Sequence, residues 1–224
     1  MLYLILGIMI TMTSVVNTPE EVPINEPQKL VALTFDDGPG PYTDRLLDFF
    51  SEHNVVATFY VMGSSIQRRP ETLIRTARLG HEIGNHSWLH ENLTEVGTRK
   101  ALNTMRRTSD IILELTGERP RTARPPYGAT DERVQNILRI LGNPIVLWSV
   151  DTRDWETREV EAIYNHIING AENGAIILMH DIHRTTYEAV KKAVPSLIEM
   201  GFGFATVSEI LGEMEPGEIY RRGR

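Results

Sequence analysis

The chain has 224 residues, of which 41% are hydrophobic and 24% charged, the composition of one soluble globular domain with little room for a second. Those values exclude a disordered or collagen-like chain. The formal charge of -7, from 23 Lys+Arg against 30 Asp+Glu, argues against a nucleic-acid binder, which needs a basic face. The absence of cysteine excludes a disulfide framework, a thiol nucleophile, a zinc–thiolate site and a lipobox anchor, and is compatible with any redox compartment.

Residues 1–10 are almost wholly apolar and 11–16 continue weakly. The run is shorter than the roughly 20 residues that span a membrane. It fits the apolar region of a secretory signal better, although no Lys or Arg precedes it and no clear cleavage site follows. Segment 1–17 is therefore expected to be a signal peptide or short membrane anchor, the alternative being an extra strand or helix packed on the domain. Segment 18–28, with Pro19, Pro23 and Pro27, reads as a linker. Segment 29–212 holds the fold, and 213–224 reads as a frayed polar tail.

Within the fold, strands are expected over 29–35, 57–61, 82–85, 122–124, 145–150, 175–179 and 204–207. Several are continuously apolar, as when both faces of a sheet are buried. Helices are expected over 43–53, 70–79, 99–115, 131–141, 159–168 and 186–200. The first carries Leu46, Leu47, Phe49 and Phe50 on one side. Pro70 opens the second and Gly80 stands past its end, while Gly117, Gly142 and Gly201 close later ones. The alternation predicts an α/β fold of parallel strands with helices outside, as an open sheet or a barrel. In both, chemistry gathers at the carboxyl ends of the strands.

Five segments stand at those ends. Asp36 and Asp37 follow the first strand in Thr34-Phe35-Asp36-Asp37-Gly38-Pro39. This could be only a tight turn, but two adjacent buried carboxylates are costly unless something positive sits there, and a metal would serve. His86 and His90 follow the third strand, four residues apart, the spacing that places two ligands on one face of a helical turn. Two histidines and a carboxylate leave positions open for water and substrate, as a catalytic zinc needs. The same trio serves non-haem iron oxygenases, for which the β/α alternation is the wrong frame. Arg124-Pro125-Pro126-Tyr127-Gly128 follows the fourth strand, as a rigid loop or as a turn aiming an Arg and an amide N–H inward. Asp154 and Trp155 follow the fifth, and aromatic faces line sugar sites as well as cores. Leu178 and His180 close the sixth strand, in Leu178-Met179-His180-Asp181. His53, His81 and His166 read as structural, and His183 stands near the rim without an assigned role.

Taken in this order, the segments resemble the NodB-like polysaccharide deacetylases of carbohydrate esterase family 4, over about residues 30–211. The resemblance implies a distorted (β/α) barrel of about seven parallel strands with outer helices. It implies that Asp37, His86 and His90 hold a metal, usually zinc, with cobalt or another divalent ion as alternatives. By the same resemblance Asp36 is the catalytic base and Arg124 orients it. The Tyr127 backbone N–H holds the oxyanion. His180 is the general acid, supported by Asp154. Trp155, Leu178, Pro126 and Tyr127 shape the sugar and acetyl pocket.

The implied activity is removal of N-acetyl groups, with release of acetate, from a β-1,4-linked amino-sugar polymer such as peptidoglycan N-acetylglucosamine or chitin oligomers. An O-acetyl xylan esterase of the same family is the nearest alternative, and an inactive sugar-binding protein a more distant one. The implied partner is an acetylated polysaccharide, met outside the cytoplasmic membrane by a monomer, with the N-terminus as its membrane association and no nucleic acid involved.

Overall fold

The computed structural model describes residues 29–223; segments 1–17 and 18–28 lie outside the described residues. Eight strands and nine helices alternate among the described residues. β1 (Lys29–Gly38) is the central stave, flanked by β6 (Ala175–His180) on one side and by β2 (Thr58–Val61) and then β3 (Glu82–Asn85) on the other. All these pairs are parallel. β7 (Phe202–Phe204) pairs with the first residues of β1, below the stretch that pairs with β2. The fold is the distorted (β/α) barrel expected, although its ladder is not one uninterrupted ring.

The interruptions have sequence causes. The strand expected over 122–124 is reduced to Ala123, which bridges Asn85 and Ile145. Pro120 stands before it and Pro125 and Pro126 after it, and proline supplies no N–H to a ladder. The strand expected over 145–150 divides into β4 (Ile145–Val146) and β5 (Val150–Asp151) because the chain changes partners. Val146 N–H donates to Ala123, and Ser149 N–H donates to Ile176 on β6.

Two expectations at the C-terminal end are corrected. The strand expected over 204–207 ends at Phe204. Val207 instead opens a short helix, α9 (Val207–Leu211), through a capping box in which Thr206 and Glu209 satisfy each other's N–H groups. The tail expected over 213–224 is not frayed as far as it is described: β8 (Ile219–Tyr220) pairs with β4, and Tyr220 packs against the inner core. The apolar Ile219 and Tyr220 supply the burial that the polar average of the segment hides.

The alternation of β1 separates two cores. Val31, Leu33 and Phe35 point outward and pack with Leu46, Leu47 and Phe50 of α1 (Thr43–His53). Ala32 points inward with Tyr60, Val146, Ile176 and Val207. Period two then places Thr34 and Asp36 on the inner face, towards the carboxyl end. β6 repeats the pattern, with Ala175, Ile177 and Met179 outward and Ile176 inward, so Leu178 and His180 follow on the inner face.

Gly84 lets β3 approach the lumen. A Cβ there would lie 2.3 Å from Cδ1 of the fully buried Tyr60. Gly84→Ala is expected to destabilise the fold by about 1–3 kcal/mol, as overpacked cores do, measured by urea unfolding. An unchanged midpoint would mean that Tyr60 is free to move.

Candidate active site

The register of β1 on β6 sets Asp36 directly beside His180. The pairing of β1 with β2 slips between Asp36 and Gly38, and Asp37, at the slip, has φ 74°. A bulge of this kind re-aims a side chain. It explains how two adjacent carboxylates reach one site when a regular strand would send them to opposite faces. Ser65 Oγ donates to the Asp37 carbonyl at 3.1 Å and Met62 N–H to the Gly38 carbonyl at 2.9 Å, which hold the slipped backbone in place.

His86 and His90 meet Asp37, but not across a helical turn as their spacing suggested. Residues 86–90 form a loop in which Ser87 has φ 66° and His90 φ 60°. Asn85 and Glu91 hold it. Asn85 Oδ1 accepts from Ser87 N–H at 2.9 Å, and Glu91 Oε2 accepts from Ser87 Oγ and Leu89 N–H. The result brings Nε2 of both histidines to 3.5 Å from Asp37 Oδ1.

These three residues could hold a metal ion: one ligand atom from each lies within 4.8 Å of the others. Two observations fit a cation there. Asp37 Oδ1 is buried without a hydrogen-bond partner. His86 Nδ1 lies 2.6 Å from the Arg124 carbonyl, which can only accept, so Nδ1 carries the proton and Nε2 keeps its lone pair towards Asp37. Burial, aided by the charges of His90 and Arg124, pulls the His86 pKa down to about 3, so the ring is neutral at physiological pH.

Arg124 is the largest fully buried side chain. Its guanidinium donates to the carbonyls of Val146 and Leu147, to Thr34 Oγ1 at 2.9 Å and to Asp36 Oδ1 at 2.7 Å, and lies 4.1 Å from the Tyr60 ring centre. Desolvation nevertheless exceeds this attraction, and with that of His180, and leaves the Asp36 pKa above the usual carboxylate range. A carboxylate in that state holds a proton more readily than a free one.

His180 is held from the other side. Its Nδ1 donates to Asp154 Oδ1 at 2.7 Å, and its backbone N–H to Asp154 Oδ2 at 2.8 Å. Thr186 Oγ1 donates to Oδ2 as well, at 2.6 Å. Burial lowers the His180 pKa, but the hydrogen bond and charge of Asp154, with the charges of Asp36 and Asp37, outweigh it and raise it to about 9. The imidazolium is the neutral-pH form, with its Nε2–H free of Asp154.

The remaining expected positions lie on this rim with differing exposure. Leu178 and Pro126 are buried, Tyr127 is 68% exposed and Trp155 50% exposed. Tyr127 has φ 62° in the 3-10 turn Pro126–Gly128, and its ring packs edge-on against His90, 4.5 Å between centres. Six of the seven non-glycine residues with positive φ among those described, Asp37, Ser87, His90, Tyr127, Arg153 and Arg158, lie in these loops. Such strained conformations, on the order of 1–3 kcal/mol each, cluster where a site has to be shaped.

Several supporting residues carried no assignment from the sequence. Thr34 stands two before Asp36, so strand period alone places it on the same face. Thr186 gives no local signal, since it meets Asp154 across 32 positions. Asp181 sits beside His180 but faces β1: its carboxylate accepts from Thr43 Oγ1, which accepts from Gly40 N–H at 2.7 Å. A Cβ on Gly38 would lie 2.3 Å from Asp181 Oδ2, so this carboxylate braces the turn that carries Asp36 and Asp37. Burial pushes the Asp181 pKa up to about 7.

The sequence matches the family model described as polysaccharide deacetylase over residues 24–146. The chain belongs to that NodB-like family, carbohydrate esterase family 4. Among its relatives, the peptidoglycan-N-acetylmuramic acid deacetylase PdaC of Bacillus subtilis is 40% identical over 197 residues, 88% of this chain and 42% of PdaC. A peptidoglycan-N-acetylglucosamine deacetylase of Bacillus cereus is 38% identical over 197 residues, 85% of this chain and 91% of that protein. The solved structure of PdaC superposes with a TM-score of 0.78 at 40% identity, over 82% of this chain and 91% of that one. The esterase domain of a multidomain xylanase from a Trinervitermes trinervoides hindgut metagenome superposes at 0.81, with 29% identity, over 89% of this chain and all of that one. The chain spans less than half the length of PdaC.

Proposed function

We propose that the chain is a metal-dependent hydrolase that removes N-acetyl groups from the amino sugars of peptidoglycan, releasing acetate. The observation that carries this is the juxtaposition of Asp36 and His180, in register on neighbouring strands, beside the Asp37–His86–His90 cluster. An amide needs a base on one side and an acid on the other, because water attacks poorly and an unprotonated amine leaves poorly.

Asp37, His86 and His90 would hold a divalent cation, and zinc suits two imidazoles and a carboxylate. When bound, it supplies Lewis acidity towards the acetyl carbonyl and the attacking water. Asp36 takes the proton from that water, with Arg124 fixing its orientation. The Tyr127 N–H, without an intramolecular partner among the described residues, is available to the developing oxyanion. A donor of this kind is worth about 3–4 kcal/mol. His180 delivers a proton to the departing amine, and Asp154 keeps the ring charged and aimed. Trp155 offers a flat face to the sugar, and Leu178 an apolar wall to the acetyl methyl.

Both named peptidoglycan deacetylases among the relatives support the cell-wall polymer, and with it action outside the cytoplasmic membrane. The structural likeness to a xylanase's esterase domain keeps O-acetyl xylan as the second substrate. The test is acetate release by the purified chain from peptidoglycan, N-acetylglucosamine oligomers and acetyl-xylan, side by side. Release is expected from the first two. Release from acetyl-xylan alone would make the chain an esterase, and release from none would favour an inactive sugar binder.

A further inference from the structure

We propose that Arg158 and His183 form an anion-recognising lip of the site, which takes a carboxylate carried by the glycan beside the acetamido group. The inference rests on the deacetylase reading and deepens it by separating anionic from neutral substrates.

The lip stands at the C-terminal end of the short helix α6 (Asp154–Thr157), where Arg158 follows the helix and meets His183. The helix is flanked by Arg153 at φ 53° and Arg158 at φ 52°, both left-handed. Asp154 is buried under His180, whereas the next residue, Trp155, and Arg158 beyond the helix are exposed. Arg158 Nε donates to the Trp155 carbonyl at 3.0 Å, and Nη1 donates to His183 Nδ1. The His183 ring lies 6.1 Å, centre to centre, from the His180 ring. The lip is thus tied to both the sugar-facing Trp155 and the histidine beside the general acid.

The charges decide what it can take. Donation from Nη1 requires an unprotonated Nδ1, so His183 is neutral and carries its proton on Nε2. Burial, and after it the positive charge of Arg158, hold its pKa below the usual value. The pair therefore presents one permanent positive charge and an imidazole N–H. No carboxylate balances Arg158 among the described residues, whereas Arg153 is paired with Glu156. Of the acids around Arg158 in sequence, Glu156 is taken by Arg153, Glu161 by Lys192 and Asp154 by His180 and Thr186, and the adjacent Glu159 makes no ion pair with Arg158. A guanidinium has five N–H donors, so Arg158 keeps a free edge after these two bonds.

A neutral N-acetylglucosamine oligomer offers Arg158 hydroxyl and carbonyl oxygens but no anion. N-acetylmuramic acid carries its lactyl carboxylate on the ring carbon next to the acetamido carbon, so the anion arrives with the reacting group. A stem peptide is the other source of carboxylates on the same polymer.

The test compares wild type, Arg158→Gln and Arg158→Lys, as the full zinc-loaded chain, on three glycans of equal length. These are peptide-free strands with free lactyl carboxylates, peptide-bearing strands and neutral N-acetylglucosamine oligomers. For Arg158→Gln, the kcat/KM for peptide-free strands relative to neutral oligomers is expected to fall about tenfold, the scale of one charged hydrogen bond near a surface. Arg158→Lys is expected to keep part of the preference, and added salt to shrink it. A loss confined to peptide-bearing strands would support the lip with the peptide as the source. An unchanged ratio, or equal loss on all three glycans, would overturn it. Equilibrium binding of the same glycans, followed by tryptophan fluorescence, needs no turnover. Charge-selective binding lost in Arg158→Gln without any acetate release would sink the deacetylase reading and leave the lip standing.

Discussion

Asp36→Asn is expected to lower kcat by about 10²–10⁴-fold while the chain still binds zinc. Asparagine keeps the shape of the side chain, and its carbonyl can accept the bond that Arg124 makes to Asp36 Oδ1 at 2.7 Å. It cannot take a proton. The metal-ligating set does not need it, because the orphan buried oxygen belongs to Asp37. Asp37→Ala should behave differently, losing zinc affinity together with rate. Rates on peptidoglycan and zinc titrations of both variants separate the two roles. A near wild-type rate in Asp36→Asn would remove Asp36 as the base.

Asp154→Asn is expected to cost about 10²-fold in kcat, the lower end of what a positioned proton donor contributes, and to change the pH profile in one direction. The acid must be protonated to act, so the rate falls as pH rises through the His180 pKa. In the wild type that value is raised to about 9, with Asp154 the largest of the groups raising it. Removing the Asp154 charge leaves burial less opposed, so the alkaline limb moves to lower pH. A limb that stays in place, or moves up, would mean that another group supplies the proton. A bound cation adds positive charge near His180 and lowers both profiles together, so the difference between variant and wild type carries the result.

Much of the site was legible because strand alternation and strand ends are local properties. Asp36, His180 and the two core faces of β1 follow from period two along a buried strand. The family resemblance contributed the roles, which residue types alone left open. What the sequence obscured depends on long-range partners or on strained backbone. His86 and His90 look like a helical pair, but the left-handed Ser87 and His90 bring them together in a loop. The bulge at Asp37 has no one-residue signature. That Arg124 is aimed inward was readable from its turn, but its four acceptors, spread over Thr34, Asp36, Val146 and Leu147, were not. At the other end, Thr206 and Glu209 have the spacing of a capping box, but the run 204–207 around Thr206 has the look of a strand. β8 was hidden because two residues, Ile219 and Tyr220, do the packing inside a polar segment.

The most direct test of the central claim is zinc content and acetate release measured on the same sample, before chelation, after it, and after zinc is restored. A metal-dependent deacetylase centred on Asp37, His86 and His90 predicts about one zinc per chain. Release of acetate from peptidoglycan should stop when that zinc is removed and return when it is replaced. Undiminished release from the metal-free chain would contradict the account, and would leave the Asp36–His180 pair to act without a cation.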